Sequence, residues 1–294
     1  MATLRELKGR IGSVASSEKI TGAMKMISSA KMHRAEADLR RLLPFRQQIE
    51  NIIGNLLSTD AEFSSPLTEP REVHKVAFVV LGSDDGLCGG YNINIFKGLL
   101  QAISDTRAAY GQGVEITVIP VGKKIAKAVD KIAEGSLKVE KIGYINSKSD
   151  SASVKALAGE LVKSYTDGKY DRVELLYMNF QSVSRQRLRR DTYLPVDAEA
   201  LGSEGAGTAC RPCIFEPDAA TIFRSVIPMF LLAVMQEVFT ENRASEQAAR
   251  IMAMQSANDN AKNLLEVLQL EYNKLRQQSI TTELLDILGG QVKN

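Results

Sequence analysis

Apolar residues repeat at three- and four-residue spacing at both ends of this chain, and that pattern limits its folds more than any other feature. Near the N-terminus Leu4, Leu7, Ile11 and Val14 are spaced as the seam of a coiled coil. The stripe then shifts to Ile20, Ala23, Ile27 and Ala30, continued by Arg34 and Ala37, and resumes as Leu42, Phe45, Ile49, Ile52 and Leu56. Gly9, Gly12 and Gly22 each disfavour a helix interior by about 1 kcal/mol, and Pro44 predicts a kink, so packing must compensate. The spacing predicts one helix over residues 3–58, within an N-terminal segment 1–58, about 80 Å long at 1.5 Å per residue. At the other end Asp218 is placed to cap a helix. After it, Pro228 is the only strong breaker before Gly289 and Gly290. Ile251, Asn258, Leu265 and Tyr272 share one heptad position; Met254, Ala261, Leu268 and Leu275 share its partner, with the single Asn as a register device. This second helix, over 216–288, is about 100 Å long. Two such helices at opposite chain ends can bury their stripes only against each other. The expectation is an antiparallel coiled coil in which the small residues Ala23, Ala30 and Ala37 allow close approach.

The middle segment, 73–197, alternates between strand and helix. Strands are predicted at 75–82, 115–122, 139–145 and 173–180, with an edge strand at 191–196. Helices are predicted at 92–110, 123–133 and 151–167. Val- and Ile-rich strands separated by helices specify a mostly parallel, doubly wound, Rossmann-like α/β domain. The fold class is therefore α/β plus long helices, the domain being inserted between the two halves of the coiled coil. Residues 198–215, containing "LGSEGAGT", read as a flexible loop that ends the domain.

The stretch that most resembles chemistry is "SDDGLCGGYN", residues 83–92, between the first strand and its helix. A phosphate cradle needs free backbone N–H groups at a helix N-terminus and, in the P-loop, a Lys beside Ser or Thr. Here Tyr91 and Asn92 stand in those places, and Asp84 and Asp85 repel phosphate. The dinucleotide glycine spacing is absent. A nucleophilic Cys88 needs a base, and nothing in the sequence brings His33 or His74 to it. The better reading is a tight turn whose glycines take positive φ or allow close backbone packing, with Cys88 as a small buried apolar residue. A doubly wound transferase would need a polar site at the strand ends, where only Asp84, Asp85 and Asn92 stand as candidates.

Composition excludes little more. The chain has 294 residues, 44% hydrophobic and 24% charged, with net charge +2, as in a soluble protein with a core. Its longest apolar run, "VIPMFLLAVM", has ten residues and contains Pro228, too short for a transmembrane span. No secretory h-region precedes the first helix, and three cysteines then point to a reducing compartment. Residues 1–50 carry ten Lys or Arg against five Asp or Glu, but no basic-aromatic interleaving of the nucleic-acid-binding kind occurs. Cys210 and Cys213 have C-x-x-C spacing. A zinc site would need two further ligands that the nearby sequence lacks, which leaves a disulfide or, better, two coincidental loop cysteines.

Four blocks, "KITGAMKMISSAKM" (19–32), "SDDGLCGGYNINIFK" (83–97), "SEQAARIMAMQSANDNA" (245–261) and "YNKLRQQSITTELLDILGG" (272–290), are similar to signature blocks of the γ subunits of F-type ATP synthases, in the same order. The resemblance implies a central rotor shaft inside a hexamer of α and β subunits (3:3:1), with its foot beside ε on the membrane c-ring. It places catalysis in β and implies no cofactor, no metal, no direct nucleotide binding and no nucleic acid. The implied location is the cytoplasmic face of the bacterial plasma (inner) membrane, held peripherally. Chloroplast relatives carry a regulatory cysteine pair after an "LP" segment; the shorter spacing here and the missing acidic insertion depart from that pattern and favour a bacterial type. The resemblance places Met24 and Lys25 on the shaft at the lower ends of β. The inferred seam at Ile20, Ala23 and Ile27 would turn them partly outward. Arg276, Gln277, Gln278, Thr281, Thr282 and Glu283 would run in the α/β bearing; polar residues all round that helix fit several partners better than one. The resemblance implies that exposed basic residues along 8–46 meet acidic lever loops on β; the alternative for any one of them is an ordinary solvated helix face. The alternative reading is a non-motor coiled-coil scaffold.

Overall fold

A computed structural model describes residues 3–57, 65–132, 137–197 and 215–291. Two compact units make it up: Ser29–Ala249, and Met1–Ser28 with Arg250–Asn294. Helix α1 (Leu4–Leu57) and the C-terminal helix α5 (Ala219–Gln291) each contribute to both.

The larger unit is built on a five-stranded sheet of order β3-β2-β1-β4-β5. Strands β1 (Lys75–Leu81), β2 (Glu115–Val121), β3 (Leu137–Val139) and β4 (Arg172–Phe180) run parallel, and β5 (Gln186–Leu194) is antiparallel to β4. Every residue of β1 except Lys75 is buried, as a central parallel strand covered on both faces requires. Helices α2 (Tyr91–Tyr110) and α3 (Lys123–Val129) cover one face, where Ile95, Leu99 and Ile125 pack on Val76, Phe78 and Val80. Helix α4 (Ser151–Thr166), capped by Asp150, covers the other. That second face also takes Ile49, Ile53 and Leu56 of α1 and Phe223, Ile227, Leu231 and Met235 of α5 in one continuous core. By length and composition α5 is apolar enough to cross a membrane, but half of its most apolar stretch is buried inside the protein. It is the core helix of this unit.

The expected elements are present, with two corrections. The strand predicted at 139–145 is instead Leu137–Val139. It pairs only with residues 116–118 of β2, and Glu140 is drawn off by Lys169 and Tyr170 at 2.7 Å. The edge strand starts at Gln186, five residues earlier than expected, because it hairpins onto β4. Asp218 caps α5 by accepting from the Thr221 N–H at 2.8 Å. The loop at 198–214, with Cys210 and Cys213, lies outside the described residues.

The larger correction concerns the α1 seam. A stripe of buried and half-buried positions runs unbroken along it as Leu7, Ile11, Val14, Glu18, Thr21, Lys25, Ser28, Met32, Ala35, Leu39, Leu42, Arg46, Ile49, Ile53 and Leu56. That is a single heptad register without a shift. Ile20, Ala23, Ile27, Ala30, Arg34, Ala37, Phe45 and Ile52, expected in the seam, are all exposed. The apparent shift arose because the true seam is polar from Glu18 to Ser28 while its flank is apolar.

In the smaller unit, α1 and α5 pair with the C-terminal heptads as expected: Ile251, Met254 and Leu268 are buried, with Leu7 buried on α1. Asn258 fixes the register by donating its amide to the Glu18 carbonyl at 2.8 Å and the Thr21 hydroxyl at 3.3 Å.

The turn from β2 into α3 depends on Gly122, at φ +114, where an added Cβ would lie 2.9 Å from the Ser83 carbonyl oxygen. Both terms penalise any side chain, and backbone cannot give way cheaply. Gly122→Ala is expected to cost about 2 kcal/mol or more, read as a lower urea midpoint. Gly113→Ala, with nothing within 4 Å, should leave the midpoint unchanged.

Candidate functional site

In doubly wound sheets, ligands bind beyond the carboxyl ends of the strands where the strand order reverses. Here that point lies between β1 and β4, and helix α5 fills it. Asn242 donates to the Gly82 carbonyl at 3.1 Å and accepts from the Tyr91 hydroxyl at 2.6 Å. Ser245 donates to the Met178 carbonyl at 2.9 Å, and Asn179 donates to Glu241 at 2.7 Å. Arg243 donates to the carbonyls of Ser147 and Ser149. Ala244 and Ala248, both fully buried, let the backbone come close.

The adjoining 83–92 turn is equally committed. Asp84 accepts from the Lys123 N–H at 3.0 Å and the Ser147 hydroxyl at 2.8 Å; Asp85 pairs with Lys148 at 2.6 Å. Asn92 holds Ser83 and the buried Cys88. Gly89 adopts positive φ as expected, and so does Leu87, at φ 62, whose exposed side chain had given no such signal. The side chains that would have to receive a ligand are bonded to one another.

Beside this crevice, a cleft of about 330 Å³ opens between α1, α5 and the loop before α4. Lys31, Arg34, Lys148 and Arg243 line it against Asp38 and Glu246. Burial holds the Arg243 guanidinium below the ordinary arginine range, partly offset by Asp38 and Glu246. Lys148 is already paired with Asp85, and Asp150 joins Asp38 and Glu246 around Arg243, so the charges of the cleft are largely matched within the unit.

The residues singled out from the sequence fall into two places in the smaller unit. Met24 and Lys25 are half-buried on α1, with Lys25 in the seam register rather than turned outward. Arg276, Gln277, Gln278, Thr281, Thr282 and Glu283 are exposed on one stretch of α5, where Lys274, Gln277, Gln278, Thr281 and Thr282 border a shallow concavity. Continuing the pairing from Asn258 outward, α5 outruns α1 near Gln277, and Leu284, Leu285, Ile287 and Leu288 beyond it are 56–63% exposed. Ile20, Met26 and Ile27 on α1 are 55–70% exposed. Sequence reading missed Asn242, Arg243 and Ser245. A polar run inside an apolar helix was their only signal, and it does not say what the residues meet.

Among the described residues, the crevice is thus filled by the chain's own helix, and the two long helices leave apolar surface uncovered, as in a stalk-like subunit. The comparisons with known proteins agree. A family model described as ATP synthase matches residues 3–292. The ATP synthase gamma chain of Phocaeicola vulgatus is 41% identical over 296 residues, covering 99% of this chain and 100% of that one. That of Bacteroides thetaiotaomicron is 40% identical, with full coverage of both chains. A chain of the Euglena gracilis mitochondrial ATP synthase (OSCP/F1/c-ring, rotational state 3) shares the fold, with TM-score 0.66 and 19% identity over 98% of this chain and 93% of that one. This chain belongs to the ATP synthase gamma chain family, the rotor shaft of the F1 sector.

Glu241, between α5 and the sheet edge, offers a pH test. Burial pushes its carboxyl from the ordinary 4.5 up to about 7; Glu237 adds to the rise, while Asn179, Arg189 and Arg46 oppose it. Between those values the folded chain holds a proton that the unfolded chain has released, so stability falls as pH rises through that window. Glu241→Gln should flatten the fall and gain on the order of 1–3 kcal/mol at pH 8, measured by urea unfolding at pH 5 and 8.

Proposed function

We propose that this chain couples ion-driven rotation of a membrane c-ring to the conformational cycle of catalytic β subunits, in an assembly of three α, three β and one copy of itself, with ε at the foot. Its place is the cytoplasmic face of a bacterial plasma membrane, held peripherally through the ring. The uncovered apolar surface of the smaller unit, from Ile20 and Ile27 on α1 to Leu284, Leu285, Ile287 and Leu288 on α5, carries this reading. A helical pair that leaves such surface exposed is built for enclosure by another protein. Relatives of full length carry the gamma chain name, and similar folds come from F1 and c-ring assemblies.

A shaft biases a β site only through contact energy that differs between open and closed states. The two helices present different side chains around the pair, so each β meets a different face. The decisive experiment is co-purification with α and β and measurement of ATPase activity and rotation on the same preparation. A static scaffold would bind without stimulating or gating hydrolysis.

Two variants sharpen the test. Removing residues 284–294 leaves the buried seam residues in place and should weaken assembly or torque modestly. Cutting back past Leu268, which is buried in the seam, should cost much more; equal behaviour counts against the bearing assignment. Met24 sits beside the seam residue Lys25, where a flexible thioether can adapt to changing neighbours. Met24→Lys places a second ammonium there, and a state-specific contact of about 1–3 kcal/mol traps one dwell by roughly 5- to 150-fold. Hydrolysis should persist while protons pumped per ATP fall, measured as paired ATPase rate and proton uptake in membrane vesicles.

A further inference from the structure

A rotor helix must not turn about its own axis inside the domain that drives it. Apolar packing alone resists this poorly, because burial free energy has no direction. A helix lying on one greasy face can roll with little change in buried area. Along Phe223–Phe239, α5 is held mainly by such packing. Over the next turns its surroundings change. Asn242 and Ser245 are 1% and 0% exposed, Ala244, Glu246 and Ala248 no more than 2%, and Glu241, Asn242, Arg243 and Ser245 make directional bonds to four parts of the α/β domain, Glu241 and Ser245 sharing one of them. These parts are the end of β1, the end of β4, the start of α2 and the loop before α4. At 3.6 residues per turn, the four side chains leave the helix axis over about 200° of arc. A helix gripped over more than half its circumference cannot roll without breaking bonds on at least one side, and each broken buried bond leaves an unpaired polar group.

We propose that Asn242 and Ser245, with Tyr91 and the strand-end carbonyls of Gly82 and Met178, form a torque latch that fixes α5 rotationally against the sheet. The crevice that binds a ligand in related folds is used here to clamp the protein's own drive helix. The latch sets the rotational angle of α5 within the larger unit. These are positioning residues, and the inference rests on the rotor reading above.

The test removes only hydroxyls. Tyr91→Phe with Ser245→Ala keeps the ring and the close packing but deletes the bonds to Asn242 and Met178. In complexes pinned through α and β, with a bead on Ser104→Cys of the exposed side of α2, angular fluctuation within a dwell should broaden at least twofold. Protons pumped per ATP against an established gradient should fall at least twofold, with ATP hydrolysis by the detached sector staying within twofold of the parent. Unchanged fluctuation and pumping ratio overturn the latch. A proportional loss of hydrolysis and pumping overturns it too, since that marks ordinary fold damage. The parent is assembled first, so failure to join α and β is seen separately as failure of the rotor reading. In that event the latch is decided on the isolated chain, where amide exchange over 240–248 should accelerate tenfold or more in the variant, and equal exchange overturns it.

Discussion

Everything in the larger unit depends on one shared core. Ile49, Ile53 and Leu56 of α1 and the Phe223–Phe239 stretch of α5 bury themselves on the same sheet face as α4. Without that face, neither terminal helix could hide its stripe along this stretch; without the helices, β1 and β4 would leave a row of apolar residues in water. The inserted domain is therefore bonded into both helices, not tethered to them. Each fully buried Leu, Ile or Phe contributes about 1.5–3 kcal/mol, so the joint between shaft and domain is among the strongest features of the unit.

Charged groups refine that joint. Arg46 occupies a seam position of α1 and reaches Glu237 on α5 at 2.8 Å and Glu50 on its own helix at 2.7 Å. Burial opposes its charge, but the two carboxylates more than offset this and hold its pKa above the ordinary value. In the sheet, Glu174 is buried between Arg172 at 2.7 Å and Arg190 at 2.5 Å, with Arg190 over the Phe78 ring. Buried ion sets of this kind add less net stability than specificity of arrangement, and removing one partner is costly. Both fix register where apolar packing would tolerate sliding.

The smaller unit is built on a different balance. From Glu18 to Ser28 the α1 seam is polar, and Asn258 spends its amide on the Glu18 carbonyl. Little apolar area is buried there, while Ile20, Met26 and Ile27 remain outside. A pair with a weak interior and an apolar exterior gains its order from what surrounds it.

The sequence alone determined the elements whose signal is local. β1, β2, β4, α2 and α4 follow from period and composition, the C-terminal heptads from clean spacing, and the α5 start from Asp218. The turn character of residues 83–92 was legible because its residue types contradict a phosphate cradle. What the sequence could not determine depended on partners distant in the chain. The α1 seam was misread because apolar residues normally mark the buried side, and here Ile20, Ala23, Ile27, Phe45 and Ile52 lie outside a seam that uses Glu18, Thr21, Lys25 and Arg46. The filled crevice was invisible for the same reason. Asn242 and Ser245 look like surface residues of a helix until the ends of β1 and β4 and the Tyr91 hydroxyl close around them. Burial is a property of the surface a residue meets, and only the tertiary structure supplies that surface.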